Sequence, residues 1–222
     1  MTPWKRKEVI GDCTLYLGDC LEVMPTLGRF DAVLTDPPYG LGKKFQGGTW
    51  GADSKYKRMP EWDGDARQGW VDAIISIDVP TVIWGGHYFS VPPSRCWLSW
   101  CKPFFPTMAD MELAWTNLDQ PSKRWRSTRT PDGGKQHPTQ KPVALMEWCL
   151  GFLPDAETIL DPFMGSGTTG VACAKMGRKF TGIELDPDYF QIACDRIQKA
   201  YDQPDMFVPA PKQKPEPQQV LL

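Results

Sequence analysis

Four consecutive residues, Asp36-Pro37-Pro38-Tyr39, directly follow a compact apolar run and combine a carboxylate, a rigid backbone and an aromatic ring. The two prolines fix the backbone and remove two N–H donors, so the Asp36 carboxylate and the Pro37 carbonyl can both point at one small group. An exocyclic amino group on a planar base offers two hydrogens to such acceptors. Accepting both makes its nitrogen nucleophilic, and Asp36 would stabilise the positive charge that develops on alkylation. The tetrad therefore predicts chemistry on an amino group, with the base stacked on Tyr39.

A second motif is a glycine-rich turn at residues 161–170, between a predicted strand and a predicted helix. Gly165 and Gly167 lack a Cβ, so a ligand can approach the backbone there, and no Lys follows them as it would in a Walker loop. The next predicted strand ends at Glu184, where an acid commonly accepts hydrogen bonds from ribose hydroxyls. Tight packing of strand on helix is the alternative for the turn alone. Together with Asp161 and Glu184, the turn favours a nucleoside-bearing cofactor.

The elements that must position these motifs alternate between strands and helices. Apolar runs predict strands at residues 13–17, 30–35, 81–84, 96–101, 111–115, 158–160 and 180–183, and helical patterns cover about 71–77, 142–153, 168–177 and the residues after 187. This alternation predicts an α/β domain with a mainly parallel sheet. Ligands bind such a sheet at the carboxyl ends of its strands, so both motifs should meet at one edge.

Composition excludes several other classes of protein. The 222 residues carry a net charge of −2, so binding of nucleic acid by bulk charge is excluded, although a local basic patch is not. The chain has no signal region and no apolar stretch of about eighteen residues, which a membrane span needs. Seven scattered cysteines suggest free thiols in a reducing compartment. Without CxxC pairs or clustered histidines we predict no metal site, and we expect a cytoplasmic protein that contacts no membrane.

Four segments together resemble the amino-methylating DNA methyltransferases that use S-adenosylmethionine. They are TDPPYG at 35–40, HPTQKP at 137–142, DPFMGSGTTG at 161–170 and GIELDPDYF at 182–190. Their order is similar to the permuted β-type arrangement. The resemblance implies a Rossmann-like, circularly permuted fold, with a mainly parallel sheet and helices on both faces. Residues 1–202 would form the methyltransferase domain, and residues 203–222 a Pro-rich flexible tail.

The resemblance also implies roles for individual residues. Asp19 would contact the cofactor adenine, although a helix N-cap is the alternative for it, and Glu184 would contact the ribose. Thr139 and Lys141 would border the cofactor pocket. The turn residues that would line the methionine end of the cofactor are Asp161, Phe163, Gly165, Gly167 and Thr168, and Ser166 is a further predicted cofactor-binding residue.

For the reaction, the resemblance implies direct transfer of the methyl group to N6 of adenine in a short duplex site by a bacterial-type or phage-type enzyme. The base would first leave the stack, and the tetrad Asp36, Pro37, Pro38 and Tyr39 would be catalytic. Cytosine-N4 enzymes of this family more often begin the tetrad with Ser, so adenine is favoured over cytosine. A protein-glutamine methyltransferase, whose tetrad usually begins with Asn, and an inactive DNA-binding module are the alternatives from other classes.

Two basic segments flank these motifs and predict contact with double-stranded DNA. One is the glycine-rich loop at 40–69, and the other is the target-recognition insert expected at 117–136. The basic residues concerned are Lys43, Lys44, Lys123, Arg124, Arg126 and Arg129. Basic side chains bind phosphates, although a solvated loop would explain either segment alone. In the tail, residues 203–207 (Gln203 to Phe207) resemble the peptides that dock on the bacterial sliding clamp, which makes the clamp a second predicted partner.

Overall fold

A computed structural model describes residues 2–40, 67–102, 110–126 and 141–202. The strands in these ranges are β1 (Trp4–Ile10), β2 (Cys13–Gly18), β3 (Ala32–Thr35), β4 (Thr81–Trp84), β5 (Trp97–Cys101), β6 (Met111–Thr116), β7 (Lys123–Arg126), β8 (Thr158–Asp161) and β9 (Lys179–Glu184). The helices are α1 (Cys20–Val23), α2 (Gln68–Ile75), α3 (Val143–Leu150), α4 (Thr168–Lys175) and α5 (Pro187–Asp202). None of these helices has the length and apolar character of a membrane span.

The strands form one sheet in the order β1-β2-β9-β8-β3-β4-β6-β5-β7. The five strands from β2 to β4 in this order are mutually parallel. Strand β6 runs antiparallel to both β4 and β5, and β1 runs antiparallel to β2. The predicted α/β class with a mainly parallel sheet is therefore confirmed. Strand β2 pairs directly with the late strand β9, and a circular permutation of the fold would give it this neighbour.

Helices cover both faces of the sheet, as predicted. Side chains of α3, α4 and α5 pack on one face, and side chains of α1 and α2 pack on the other. The strands between them are apolar on both sides: every residue of β3 and of β4 is buried. This double burial explains why these two strands appear as continuous apolar runs, which are typical of parallel sheets.

The strands at the two edges of the sheet were not predicted from the sequence. Strand β1 contains the charged run from Lys5 to Glu8, and β7 has only Trp125 as an apolar residue, packed edge-on against Trp100. Among the described residues, each of these strands forms backbone hydrogen bonds with one neighbouring strand. Edge strands tolerate charged side chains because they contribute little to the core, so their apolar pattern is too weak to detect.

Candidate functional site

The site lies at the carboxyl ends of four parallel strands. Asp36 follows β3, Gly85 follows β4, and Asp161 and Glu184 end β8 and β9. Strand β3 lies between β8 and β4 in the sheet. Helix α4, which follows β8, packs on one face of the sheet, and helix α2, which precedes β4, packs on the other. A change of face between neighbouring strands opens a crevice at their carboxyl ends. The two motifs predicted to meet are therefore brought together at this crevice.

Asp161 ties the two motifs to each other. Its Oδ1 accepts hydrogen bonds from the Thr35 hydroxyl at 2.7 Å and from the Phe163 N–H at 3.1 Å, and its Oδ2 accepts from the Thr169 hydroxyl at 2.7 Å. Burial raises the pKa of this carboxyl to about 6, although the three donors counteract it. Thr35 directly precedes Asp36, so Asp161 holds the start of the tetrad beside the start of the glycine turn.

The glycine turn leaves room for a ligand at Gly165. Gly165 has φ 51°, and a Cβ built on it would meet no atom within 4 Å. Gly167 has φ 78° and packs on α5, where a Cβ would lie 2.9 Å from the Cβ of Ala193. The first glycine thus leaves the backbone open, and the second lets the turn approach the helix. An open backbone turn beside a partly buried acid, Glu184, fits the predicted nucleoside cofactor.

Arg196 of α5 supports the turn from behind, and it was not predicted from the sequence. Its Nη1 donates hydrogen bonds to the carbonyl of Ser166, to the Ser166 hydroxyl at 2.8 Å and to the Thr168 hydroxyl at 3.3 Å. Burial lowers the pKa of Arg196 to about 10, so the side chain stays charged at neutral pH. The hydroxyls of Ser166 and Thr168 therefore contact α5, and their predicted role at the methionine end of the cofactor stays a prediction.

Two acids end adjacent strands at the other side of the turn. Glu184 accepts hydrogen bonds from the Gly165 N–H at 2.9 Å and from the Asp186 N–H at 2.8 Å. Burial raises the pKa of Glu184 to about 7. Asp19 caps α1 by accepting from the Leu21 N–H at 2.8 Å, which is the helix-cap alternative considered for it. Strand β2 pairs with β9 up to Leu17 and Glu184, so Asp19 also lies beside the acid predicted to contact the ribose.

The tetrad places its two polar side chains in direct contact. The Tyr39 hydroxyl donates to Oδ1 of Asp36, and Lys141 forms an ion pair with Oδ2 of Asp36 while donating to the Tyr39 hydroxyl at 3.1 Å. Burial and the neighbouring Asp36 charge raise the pKa of Tyr39, so its hydroxyl stays protonated and acts as a donor. Pro37 is buried, and Pro38 is partly exposed. Lys141 was predicted at the border of the cofactor pocket, and that role stays a prediction; its ammonium contacts Asp36 and Tyr39 of the tetrad.

A glycine and a second tyrosine hold the Tyr39 ring. Gly85 has φ 68°, and a Cβ on it would lie 2.0 Å from Cε1 of Tyr39. Tyr88 stacks on Tyr39 with ring centroids 5.0 Å apart, and His87 lies against Tyr88 at 4.0 Å. Burial lowers the pKa of His87, which keeps that ring neutral. Tyr88 was not predicted as a site residue, although its place after the strand 81–84 was a usable signal.

Glu112 of β6 is a further acid at this site that was not predicted from the sequence. It pairs with Lys102, and its Oε2 lies 3.4 Å from Nζ of Lys141. Burial alone would raise the pKa of Glu112, but the charges of Lys141 and Lys102 outweigh burial and lower it. Burial would likewise lower the pKa of Lys141, but Asp36 and Glu112 raise it. Glu112 and Lys141 therefore both favour their charged forms.

The remaining predicted residues lie away from the crevice or outside the described residues. The exposed side chains of Lys123, Arg124 and Arg126 lie on the edge strand β7, within the segment predicted as the target-recognition insert. The other predicted residues lie outside the described residues. They are the basic residues Lys43, Lys44 and Arg129, the cofactor residue Thr139, and the sliding-clamp segment from Gln203 to Phe207. Within the described ranges, no three His, Cys, Asp or Glu side chains form a group that could hold a metal.

Comparison with protein families and curated proteins finds DNA methyltransferases. A family model described as DNA methylase, N6_N4_Mtase, matches residues 88–195. The type II methyltransferase M2.LlaDCHI of Lactococcus lactis subsp. cremoris is 43% identical over 91 residues, which cover 40% of this chain but only 31% of that relative's length. The type II methyltransferase M.ScaI of Streptomyces caespitosus is 24% identical over 249 residues, covering 84% of this chain and 82% of the relative.

Solved structures with the same fold include enzymes of this group. The crystal structure of an M1.HpyAVI-SAM complex matches with a TM-score of 0.55 and 28% identity, covering 83% of this chain and 99% of that chain. The cytosine-N4-specific PvuII DNA methyltransferase matches with a TM-score of 0.60 and 17% identity, covering 90% of this chain and 95% of that chain. At this identity the match supports the fold alone. The family model, these relatives and the solved structures all support similarity to the N6/N4 DNA methyltransferases, and the tetrad and the glycine turn lie at one crevice of the same fold.

Proposed function

We propose that this protein transfers a methyl group from S-adenosylmethionine to the exocyclic N6 of adenine in double-stranded DNA. The observation that carries the proposal is the Asp36 carboxylate, which follows β3 beside the open glycine turn and is oriented by the Tyr39 hydroxyl. Similarity to the N6/N4 DNA methyltransferases supports a DNA base as the acceptor. Aspartate at the first position of the tetrad supports adenine, because cytosine-N4 enzymes more often have Ser there.

S-adenosylmethionine supplies, when bound, a methyl group on a positively charged sulfonium. The open backbone at Gly165 would face the methionine end, and Glu184 and Asp19 would accept hydrogen bonds from the nucleoside end. These residues lie on the β8, β9 and β2 side of Asp36 in the sheet. The cofactor would therefore lie on one side of Asp36, and the target base would enter from the side of β4.

The tetrad prepares the amino group for transfer. The Asp36 carboxylate and the Pro37 carbonyl would accept hydrogen bonds from the two N–H groups of the target amine. The nitrogen lone pair is then free to point at the methyl group. Tyr39 and Tyr88 form an aromatic surface against which the extruded base can pack. As the nitrogen–methyl bond forms, the sulfur–methyl bond would break and leave a neutral thioether, and the cationic nitrogen would then lose one proton to the Asp36 carboxylate or to water. Asp36 lowers the energy of this cationic nitrogen, and its preorganised charge is the main catalytic contribution we assign to the protein.

The proposal is tested with purified protein, S-adenosylmethionine and unmethylated genomic DNA, digested afterwards to nucleosides for mass spectrometry. N6-methyladenine is the expected product. N4-methylcytosine would keep the mechanism but reverse the choice of base. If the cofactor binds and no methylated base forms, the acceptor is not the DNA base proposed here.

Binding of S-adenosylmethionine should weaken as the pH falls below about 7. The carboxyl of Glu184 has a pKa near 7 in the free protein because burial disfavours its charge. Ribose hydroxyls donate hydrogen bonds, so they bind the ionised form better and lower this pKa in the complex. Affinity should be full above pH 7 and fall by at most about tenfold per unit below it, with proton release on binding near neutral pH.

Isothermal titration calorimetry between pH 5.5 and 8, in buffers of different ionisation enthalpy, measures both effects. The matched control is Glu184→Gln, which should bind more weakly and lose most of the pH dependence. A wild-type affinity that stays constant over this range would contradict the role given to Glu184.

The basic edge strand should supply part of the affinity for DNA. Replacing Lys123, Arg124 and Arg126 with Gln should make the plot of log affinity against log salt shallower, by about 0.9 for each phosphate that these side chains neutralise. The control removes the same number of charges from the opposite edge of the sheet, at Lys5, Arg6 and Lys7. Fluorescence anisotropy at several salt concentrations gives the slopes, and equal effects of the two triple variants would count against a DNA-binding face on β7.

A further inference from the structure

We propose that Lys141 is a placeholder for the target amino group, and that Glu112 is the positioning residue that receives its ammonium when the base enters. This inference rests on the proposed function, because it concerns the same catalytic carboxylate. Neither role follows from the sequence motifs. Both follow from the contacts that β6 and the segment before α3 make with the tetrad.

Lys141 occupies the position that the substrate needs. Its side chain is only 5% exposed, and its ammonium pairs with Oδ2 of Asp36 while donating to the Tyr39 hydroxyl. Oδ1 of Asp36 already accepts from Tyr39. An ammonium and an amino group are both small N–H donors, so they compete for the same oxygen. The base can reach its productive position only after the lysine leaves Asp36.

Electrostatics require the same displacement during the reaction. The target nitrogen becomes positively charged as it gains the methyl group, and Asp36 has to stabilise that charge. A second cation on the same carboxylate would repel the nitrogen and cancel the stabilisation. The lysine cannot avoid this by losing its proton, because the two neighbouring carboxylates hold it in the charged form. It must therefore move as an ammonium.

Glu112 is placed to receive the ammonium of Lys141. Its Oε2 lies 3.4 Å from Nζ of Lys141, at the long end of hydrogen-bond distances, and its other oxygen is held by Lys102. The centre of the Trp84 ring lies 5.3 Å from the ammonium and gives it a surface along which to move. A shift of the ammonium toward Glu112 would keep it paired and free Asp36 for the amino group. Charge is conserved within the pocket throughout.

A double-mutant cycle under single-turnover conditions tests the proposal, using DNA that the wild-type protein methylates. Among the described residues, Glu112→Gln leaves Asp36 as the one anionic partner of Lys141, so methyl transfer should slow by roughly 10- to 100-fold with cofactor affinity unchanged. Lys141→Met removes the placeholder, so it should slow methyl transfer less than Glu112→Gln does and should reach half-saturation at a lower DNA concentration. In the Lys141→Met background, Glu112→Gln should have almost no further effect.

A purely structural role of Glu112 gives a different result. The slower transfer caused by Glu112→Gln would then persist in the Lys141→Met background, and this additivity would overturn the proposal. Asp119→Asn is the control, because this acid follows the same strand but forms an exposed pair with Arg95, and its rate should equal that of the wild type. If Glu112→Gln does not fold, Lys141→Met decides alone: a decrease above roughly 100-fold would show that the lysine is required on Asp36.

The outcome for the wild type separates the two proposals. If the wild-type protein methylates no DNA base, the proposed function fails and the placeholder role falls with it. If the wild type is active and the two substitutions act additively, only the placeholder role fails.

Discussion

Asp36→Asn should reduce methyl transfer by roughly a thousandfold, the magnitude seen when a preorganised electrostatic group is removed from an active site. The amide keeps the volume of the carboxylate and one acceptor oxygen, but it carries no charge to stabilise the cationic nitrogen. Its NH2 group also cannot accept a hydrogen bond, so the amide can serve either the Tyr39 hydroxyl or the target amino group, but not both. Single-turnover assays at saturating S-adenosylmethionine measure the rate, and calorimetry should show cofactor affinity close to that of the wild type.

Asp31→Asn is the matched control for this prediction. Asp31 precedes the same strand β3 at its opposite end, where it accepts hydrogen bonds from Thr158 and from the Glu157 N–H. Removing that charge should leave the rate within about twofold when the assay temperature is well below the melting temperature. Retention of substantial activity by Asp36→Asn would mean that another group stabilises the transition state.

Gly85→Ala should have the next largest effect, because a single methyl group there collides with the catalytic ring. The added Cβ would lie 2.0 Å from Cε1 of Tyr39, and a tyrosine ring cannot yield without leaving its place against Asp36. The left-handed backbone, φ 68°, adds about 1–2 kcal/mol of strain for a residue with a side chain. We expect methyl transfer to be about 10- to 100-fold slower, because the substitution misplaces the Tyr39 ring but does not remove it.

Gly28→Ala serves as the control, since nothing lies within 4 Å of a Cβ at that position. Thermal unfolding measures the strain in both variants, and single-turnover kinetics measure the displacement of Tyr39. The two effects are separable: a variant that melts earlier but transfers the methyl group at the wild-type rate would show that the position of the Tyr39 ring does not matter for transfer.

The central part of the fold and the two motifs were predictable because each depends on neighbours along the chain. The strand at 81–84 was predicted with its observed bounds, and the strands before Asp36 and before the glycine turn were placed to within two residues. Continuous apolar runs identify buried parallel strands, and a strand followed by a glycine turn and a helix is a local pattern. Parallel strands end at one edge, so the meeting of Asp36 with the glycine turn followed from the class of fold.

Contacts between distant segments were decided only by the tertiary structure. Glu112 and Arg196 carry no strong sequence signal of function, since one lies in a strand and the other in a helix where such a residue is ordinarily solvated. The roles of Glu112 and Arg196 depend on the pairing of β6 with β4 and on the packing of α5 against the glycine turn. Pairing across the sheet depends on complementary shape and burial over the whole domain, which a local pattern does not contain.

Lys141 illustrates the division most clearly. Its motif marked it as a residue of the active region, and that much the sequence by itself determined. Its contact with Asp36 rather than with the cofactor turn depends on where the chain before α3 crosses the sheet, close to Asp36 after β3 and to Glu112 of β6. A buried cation takes the position where carboxylates surround it, and only the folded chain brings Asp36 and Glu112, seventy-six positions apart in the sequence, within reach of one ammonium.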